Sequence, residues 1–385
     1  MKILIVYFKE LKKEDLAWCL LQTGYEVQIM DSDISIYSTE IIDANKFADY
    51  ILVNKIDAVL TYDFCPALSD GCEITKTPYV SWIYDCPQMG LYEEAVQNSC
   101  NYIYSFDKRQ VGIIKANGAK NVYYQPLGTN VFRNAGIVIT DEDVNKYSCD
   151  VSFIGNLFVN GLYDLAENVV NDGTRNEYNR LIDEAYGKWD GIDRIHGKLT
   201  DASIEGLKEL GKEEIEAVKM DLDEFFSAKL LSYRLANIER IDMLRRLSKY
   251  NLKFFTGDTN ILIPGVISHP ALEYMEELPK AYYLSKININ ITLHSITEGV
   301  PLRVFDIMGV GGFCLSNYQP AIEELFAIDK EIVVYRDLDE MEYKVKYYLE
   351  HENERVKILV NGYKAVKERF DNEHILKGML EAINI

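Results

Sequence analysis

Glu298 and Asp306 are separated by seven residues and bracket a turn, Gly299-Val300-Pro301, that joins the β-branched run ININITL (287–293) to an amphipathic stretch. This order predicts a strand, a turn and a helix. Backbone N–H groups at such a helix start, together with the positive end of its dipole, make an anion site at the edge of a parallel sheet. Gly299, Val300, Pro301 and Leu302 are therefore candidate phosphate-binding positions. Asp306 falls two turns into the helix, where a carboxylate can accept hydrogen bonds from vicinal hydroxyls such as those of a ribose. Arg303, in the first turn, offers a guanidinium to phosphate or, alternatively, pairs with Glu298 or Asp306. Phosphate-binding amides beside a ribose-binding carboxylate point to a nucleoside diphosphate.

Other candidates lie where strands are expected to end. Gly155-Asn156 closes the run DVSFI, and Gly257 closes LKFFTG (252–257); glycine at a sheet edge lets a ligand approach the backbone closely. His294, four residues before Glu298, is a candidate catalytic group, against the alternative of a packed or capping histidine. Asp85 follows the run YVSWIYD and precedes a Pro/Gly loop. It could orient a hydroxyl or act as a general base, or simply stabilise a turn. Ser105, Lys108 and Arg109 end another run and join that edge or the surface. Asp31-Ser32-Asp33 reads as a turn, and the five histidines show no paired spacing for a metal.

These residues need a scaffold. Six apolar runs (2–8, 26–31, 58–63, 79–85, 102–107 and 121–127) alternate with helical segments over the first 130 residues. Such alternation predicts a parallel sheet covered on both faces. Residues 131–149 lose the rhythm and read as a linker. A second alternation begins at 150 and uses 252–257, 287–293, 312–317 and 332–337, with a long, charged, helical stretch over 160–250. The expected domains are 1–135 and 150–365, the latter carrying the helical stretch, with a last helix near 366–385 returning to the first. The helical stretch is read either as the part that selects the acceptor or as a homodimer contact.

The bulk properties narrow the function. A chain of 385 residues exceeds the size at which single cores usually stop growing. The net charge of −20 argues against nucleic acid and anionic membranes, which call for clustered Lys and Arg. The opening MKILIVYF is too short for a secretory core, and no run approaches a membrane span, so a cytoplasmic protein is expected. Seven irregularly spaced cysteines without a CxxC pair suit reduced thiols.

The segment 288–317 resembles the donor-binding segment of group 1 glycosyltransferases, whose E-x7-E signature stands here as E-x7-D. The strings GVPLRVFDIMGVGGFCLSNYQPAIEELF, YVSWIYDCPQMGLY, YIYSFDKRQV and YYQPLGTN resemble more narrowly the CgeB-like (spore maturation protein) branch. The resemblance implies a GT-B fold: two Rossmann-like doubly wound α/β domains facing a central cleft. It implies transfer from a nucleotide sugar, expected to be UDP-linked, to a protein or surface-glycan acceptor, with retention of configuration and no metal or other cofactor. It gives Glu298 a contact to the donor sugar and Asp306 the ribose, and sets Asp85 on the acceptor side. The chain departs from that pattern where Asn156 replaces a phosphate-gripping Arg, and where the first strand runs into FKELKKED without a glycine-rich loop. Those departures support one alternative, a catalytically inactive GT-B-like partner subunit or chaperone; a second alternative, built on the same two domains, is a nucleotide-sugar epimerase.

Overall fold

The computed structural model describes residues 1–9, 15–22, 24–32, 34–36, 42–159, 161–211, 215 and 218–383. It divides into two compact units: Met1–Phe132 with Glu298–Phe305 and Val366–Ile385, and Arg133–Thr297 with Asp306–Ala365. Of the Asp31-Ser32-Asp33 turn, Asp33 lies outside the described residues. Among the described residues no helix is long and apolar enough to cross a membrane.

In the first unit, β1 (Lys2–Tyr7), β2 (Glu26–Asp31), β3 (Ala58–Tyr62), β4 (Tyr79–Ile83), β5 (Asn101–Ser105) and β6 (Val122–Tyr124) form one parallel sheet in the order β2-β1-β3-β4-β5-β6. AVLTY and YVSWI are buried along their whole length, the pattern required of strands covered on both faces. Leu4, Val6, Phe47, Leu68, Ile83 and Ile103 share the core. Helices begin where side chains cap free amides: Asp43 before Ala44–Asn54 and Asp107 before Lys108–Ala116.

Distant stretches of chain complete this unit. Thr129 and Phe370–Asn372 exchange backbone bonds of 3.1 and 3.0 Å, and Tyr104 Oη donates to Met379 O at 3.1 Å. Helix Asn372–Ala382 packs on helix Asp15–Gln22. Gly128 is glycine because a Cβ there would stand 2.4 Å from Phe370 O.

In the second unit, β7 (Cys149–Ile154), β8 (Leu252–Thr256), β9 (Ser268–Pro270), β10 (Ser285–Asn290), β11 (Cys314–Asn317) and β12 (Val333–Tyr335) are parallel in the order β12-β11-β10-β7-β8-β9. Strand order reverses at β7/β10, the place where ligands of doubly wound sheets bind. Val151, Phe153, Phe254, Ile289 and Leu315 form the sheet core, and the helical stretch closes a core of its own around Tyr178, Phe226, Leu230 and Leu235.

Three details differ from the sequence reading. The stretch 131–149 is partly helical (Val131–Ala135 and Asp141–Tyr147), the latter started by a capping box of Thr140 and Asp143. β9 was not anticipated, being three residues long and ending in proline. The helical stretch 160–250 is several helices, with a π-helical segment at Ser227–Ser232 leading into Tyr233–Leu247.

Candidate functional site

At the carboxyl edge of the first unit, carboxylates and amides are locked together. Asp63 follows β3 with φ 55°, is fully buried, and its Oδ1 accepts from Tyr84 N at 2.8 Å and Asp85 N at 3.1 Å. Gln110 Nε2 donates to Asp85 O at 3.1 Å and Ser105 Oγ at 3.0 Å. The backbone that presents half-buried Asp85 is thus held on two sides, a requirement for any group that must orient a hydroxyl. Asp107 caps Lys108–Ala116 through Gln110 N (3.0 Å) and accepts from Glu298 N at 2.9 Å with its other oxygen. Lys108 starts that helix, its ammonium 5.0 Å from the Tyr124 ring centroid, and half-buried Arg109 follows it.

The motif turn uses its glycine for packing. Gly299 bridges Asp107, and a Cβ on it would stand 2.8 Å from the Phe106 ring. The Glu298 side chain is exposed, Val300 is buried, and Pro301, Leu302 and Arg303 are half-buried. Pro301 has no N–H, so turn amides for an anion come from Gly299, Val300, Leu302 and Arg303. Helix Leu302–Gly309 follows.

In the second unit, Asp306 on that helix is 6% exposed and accepts from the Tyr274 hydroxyl at 3.1 Å. The Arg133 guanidinium lies over the Tyr274 ring, 5.4 Å from its centroid. The pocket these residues line with Tyr282 is closed, ≈ 0 Å³. A ribose would reach Asp306 only after Tyr274 moves.

Gly155 N donates to Phe255 O at 3.0 Å. Asn156 is exposed, and Gly257 lies beside it with room for a Cβ 3.4 Å from Asn156 Oδ1. These three residues cluster at the ends of β7 and β8. His294, past the end of β10, bonds through Nε2 to Glu239 Oε1 at 2.9 Å, and Gly187 N donates to the same oxygen at 2.9 Å. Burial alone would push the imidazole down, but the Glu239 carboxylate outweighs it and holds the His294 pKa above the ordinary histidine value. Trp189 stacks on His294 at 6.2 Å, and both line a shallow cleft of ≈ 70 Å³. His269, on β9, lies 5.2 Å from the Phe255 ring, its pKa lowered by burial and by Lys253.

A cavity of ≈ 390 Å³ adjoins the closed Asp306 pocket, sharing Asn134, Pro279 and Val310 with it and lined further by Ile137, Leu359 and Tyr363 among others. None of the candidate residues reaches it, and without an acid or base it does not outweigh the strand-edge positions as a place for chemistry.

The residues missed by sequence reasoning are instructive. Glu239 and Arg240 are buried on helix Tyr233–Leu247, in phase with Leu235, Ala236, Met243 and Leu244. Two charges inside an apolar stripe were the available signal. Asp107 could have been read as a helix cap from Gln110 three residues on, but its bond to Glu298 N could not, and Asp63 and Tyr274 carried no signal because their partners are distant in sequence.

Residues 240–381 match a family model described as glycosyl transferase-like. That span holds Glu298, the turn and Asp306. Over its whole length the chain is similar to many solved structures, among them three different proteins. Anabaena HepE, solved with UDP-glucose, superposes with a TM-score of 0.53 at 12% identity, covering 100% of this chain and 99% of that one. T4 phage BGT, solved with UDP and Mn2+, gives 0.53 at 11%, covering 100% of both. Sucrose-phosphate synthase from Thermosynechococcus elongatus gives 0.52 at 10%, covering 100% and 98%. The fold is GT-B. Within GT-B, β7 to β12 make the Rossmann-like sheet that carries the family match from β8 onward. No curated protein matches the sequence.

Proposed function

We propose that this GT-B protein is a glycosyltransferase that moves a sugar from a UDP-linked donor to a protein or surface-glycan acceptor. The observation that carries the reading is the β10–Glu298–turn–helix–Asp306 segment lying inside the span that matches the glycosyl transferase-like family. The names of the similar structures support the donor class, since HepE was solved with UDP-glucose and BGT with UDP. In the reaction, the bond from the anomeric carbon to the diphosphate oxygen breaks and a bond to the acceptor oxygen forms. The acceptor proton passes to the leaving phosphate, and helix-start amides and Arg303 stabilise its developing charge. Retention, metal independence, a cytoplasmic location and membership of the CgeB-like branch belong to the proposal. So do the roles of Glu298 at the donor sugar, Asp306 at the ribose, His294 as a catalytic group and Asp85 at the acceptor. BGT was solved with Mn2+, so metal independence needs its own test.

The rival reading, a GT-B-like partner subunit without catalysis, is favoured by one observation: Asp306 is already buried under Tyr274. A thermal-shift series with UDP, GDP and their sugars, with EDTA and with Mn2+, decides between them. Ligand at a hundredfold excess over Kd stabilises by about 2.7 kcal/mol. A shift with UDP that survives EDTA, weakens in Asp306→Asn and persists in Tyr274→Phe is the expected result. No shift with any nucleotide would favour the partner-subunit reading, and a shift requiring Mn2+ would remove metal independence alone.

A further inference from the structure

Helix Tyr233–Leu247 packs on the second sheet through Met243, Leu244 and Leu247, and beside that apolar contact two of its polar side chains reach the β7/β10 switch point. Arg240, 3% exposed, donates from Nη1 to Asn156 O at 2.5 Å and from Nη2 to Ile291 O at 2.9 Å. Those carbonyls follow β7 and β10, the two strands on either side of the reversal in strand order. Two neighbouring residues on the same helical segment also bond these loops, one as donor and one as acceptor. Asn237 Nδ2 donates to Leu157 O at 2.9 Å, and Ser232 Oγ, at the end of the π-helical segment, accepts from Ser295 N at 3.0 Å.

The loop after β7 is held against its own preference. Phe158 has φ 55°, a conformation that costs a bulky side chain energy and persists only where the surroundings impose it. Its ring lies 4.8 Å from the Arg240 guanidinium carbon and 4.6 Å from the Tyr233 ring. Leu157 N is tied to Asp258 Oδ2 at 2.6 Å. Every residue from 155 to 158 is thus fixed by a named contact.

We infer that Arg240 is a positioning residue: one buried guanidinium staples the loops after β7 and β10 and occupies two carbonyl oxygens at the switch point. A planar fork suits this task because its donors diverge at fixed angles, which a lysine ammonium on a flexible stem cannot reproduce. Unoccupied, those oxygens would present negative dipoles at the edge where a donor diphosphate is proposed to sit. Asn156 leaves that edge without the expected cation, and Arg240 puts a positive charge behind it. The consequence for donor binding rests on the proposed function; the staple itself does not.

The test compares wild type with Arg240→Met and Arg240→Lys by amide hydrogen exchange without ligand, then by UDP titration calorimetry. Exchange in 155–158 and 291–297 is expected to rise about tenfold in Arg240→Met, while helix Leu338–Glu350 stays at the wild-type rate. Arg240→Lys is expected to fall in between. Loops that exchange at the wild-type rate in a folded variant overturn the staple, and if Arg240→Met does not fold, Arg240→Lys decides by the same comparison. UDP affinity is expected to fall about 10–100-fold in Arg240→Met; unchanged affinity overturns the consequence for the donor. If wild type binds no UDP, the functional reading falls, and the exchange result still decides the staple.

Discussion

The two sheets solve the same problem at their carboxyl edges with opposite charges. In the first unit, Asp63 and Asp107 spend their oxygens on backbone N–H groups of Tyr84, Asp85, Gln110 and Glu298. In the second, Arg240 spends its N–H groups on the carbonyls of Asn156 and Ile291. A carboxylate that consumes amides leaves an edge poor in donors and negative in potential, suited to holding a hydroxyl or a proton acceptor. A guanidinium that consumes carbonyls leaves an edge richer in donors and positive, suited to a phosphate. The strand orders differ as well: one strand lies beyond β1 in the first sheet, whereas two lie beyond β7 in the second. Both sheets are parallel, so the contrast between these two sets of contacts lies in side-chain charge and not in strand direction.

The comparison is most easily broken in the first unit. Asp63→Ala removes two backbone partners and puts alanine at a left-handed φ, so a loss of about 3 kcal/mol is expected in urea unfolding. Asp63→Asn should lose less, because one carbonyl oxygen can still accept. If Asp63→Ala were neutral, the carboxylate would not be what shapes that edge. A smaller effect is expected at Gly299, where a Cβ would stand 2.8 Å from the Phe106 ring. Gly299→Ala should cost about 1–3 kcal/mol by overpacking, read as a lowered Tm. A full-strength UDP shift in the folded variant would show that this glycine serves packing and not a ligand.

The smallest expected effect sharpens the second edge. The His294 pKa is raised in the folded state, with burial opposing and Glu239 prevailing. A raised value means that the His294–Glu239 pair contributes fully below the unfolded histidine pKa, about 6.5. Its contribution is lost as pH rises through the higher folded value, so stability falls with pH in that window. Urea midpoints of His294→Gln followed from roughly pH 6 to 9 should lack this slope. An identical slope in the variant would assign it to other groups.

Much of this was legible in the sequence, for identifiable reasons. The buried parallel strands announced themselves as apolar runs, and the E-x7-D segment kept its strand–turn–helix order. β9 was not legible because three residues ending in proline carry no periodicity. The burial of Asp306 was hidden because Tyr274 approaches it from 32 positions away. Arg240 could have been found, as a charge in the apolar phase of its helix, yet its two carbonyl partners could not: Asn156 and Ile291 meet it only when the strands align.

The return of residues 366–382 to the first unit has a consequence for synthesis. Leu16 and Leu20 of the early helix are buried in the finished unit, as are Ile375, Leu376, Met379 and Leu380 of the late one. On the ribosome, the stretch up to Phe132 emerges long before Val366 does. At about 5–20 residues per second, the first-made unit waits roughly ten seconds or more with one flank uncovered. The second unit, closed by Ala365, can be complete first. Residues 1–132 are made well before the helix that completes their unit, and the apolar flank that helix covers stays exposed throughout the interval.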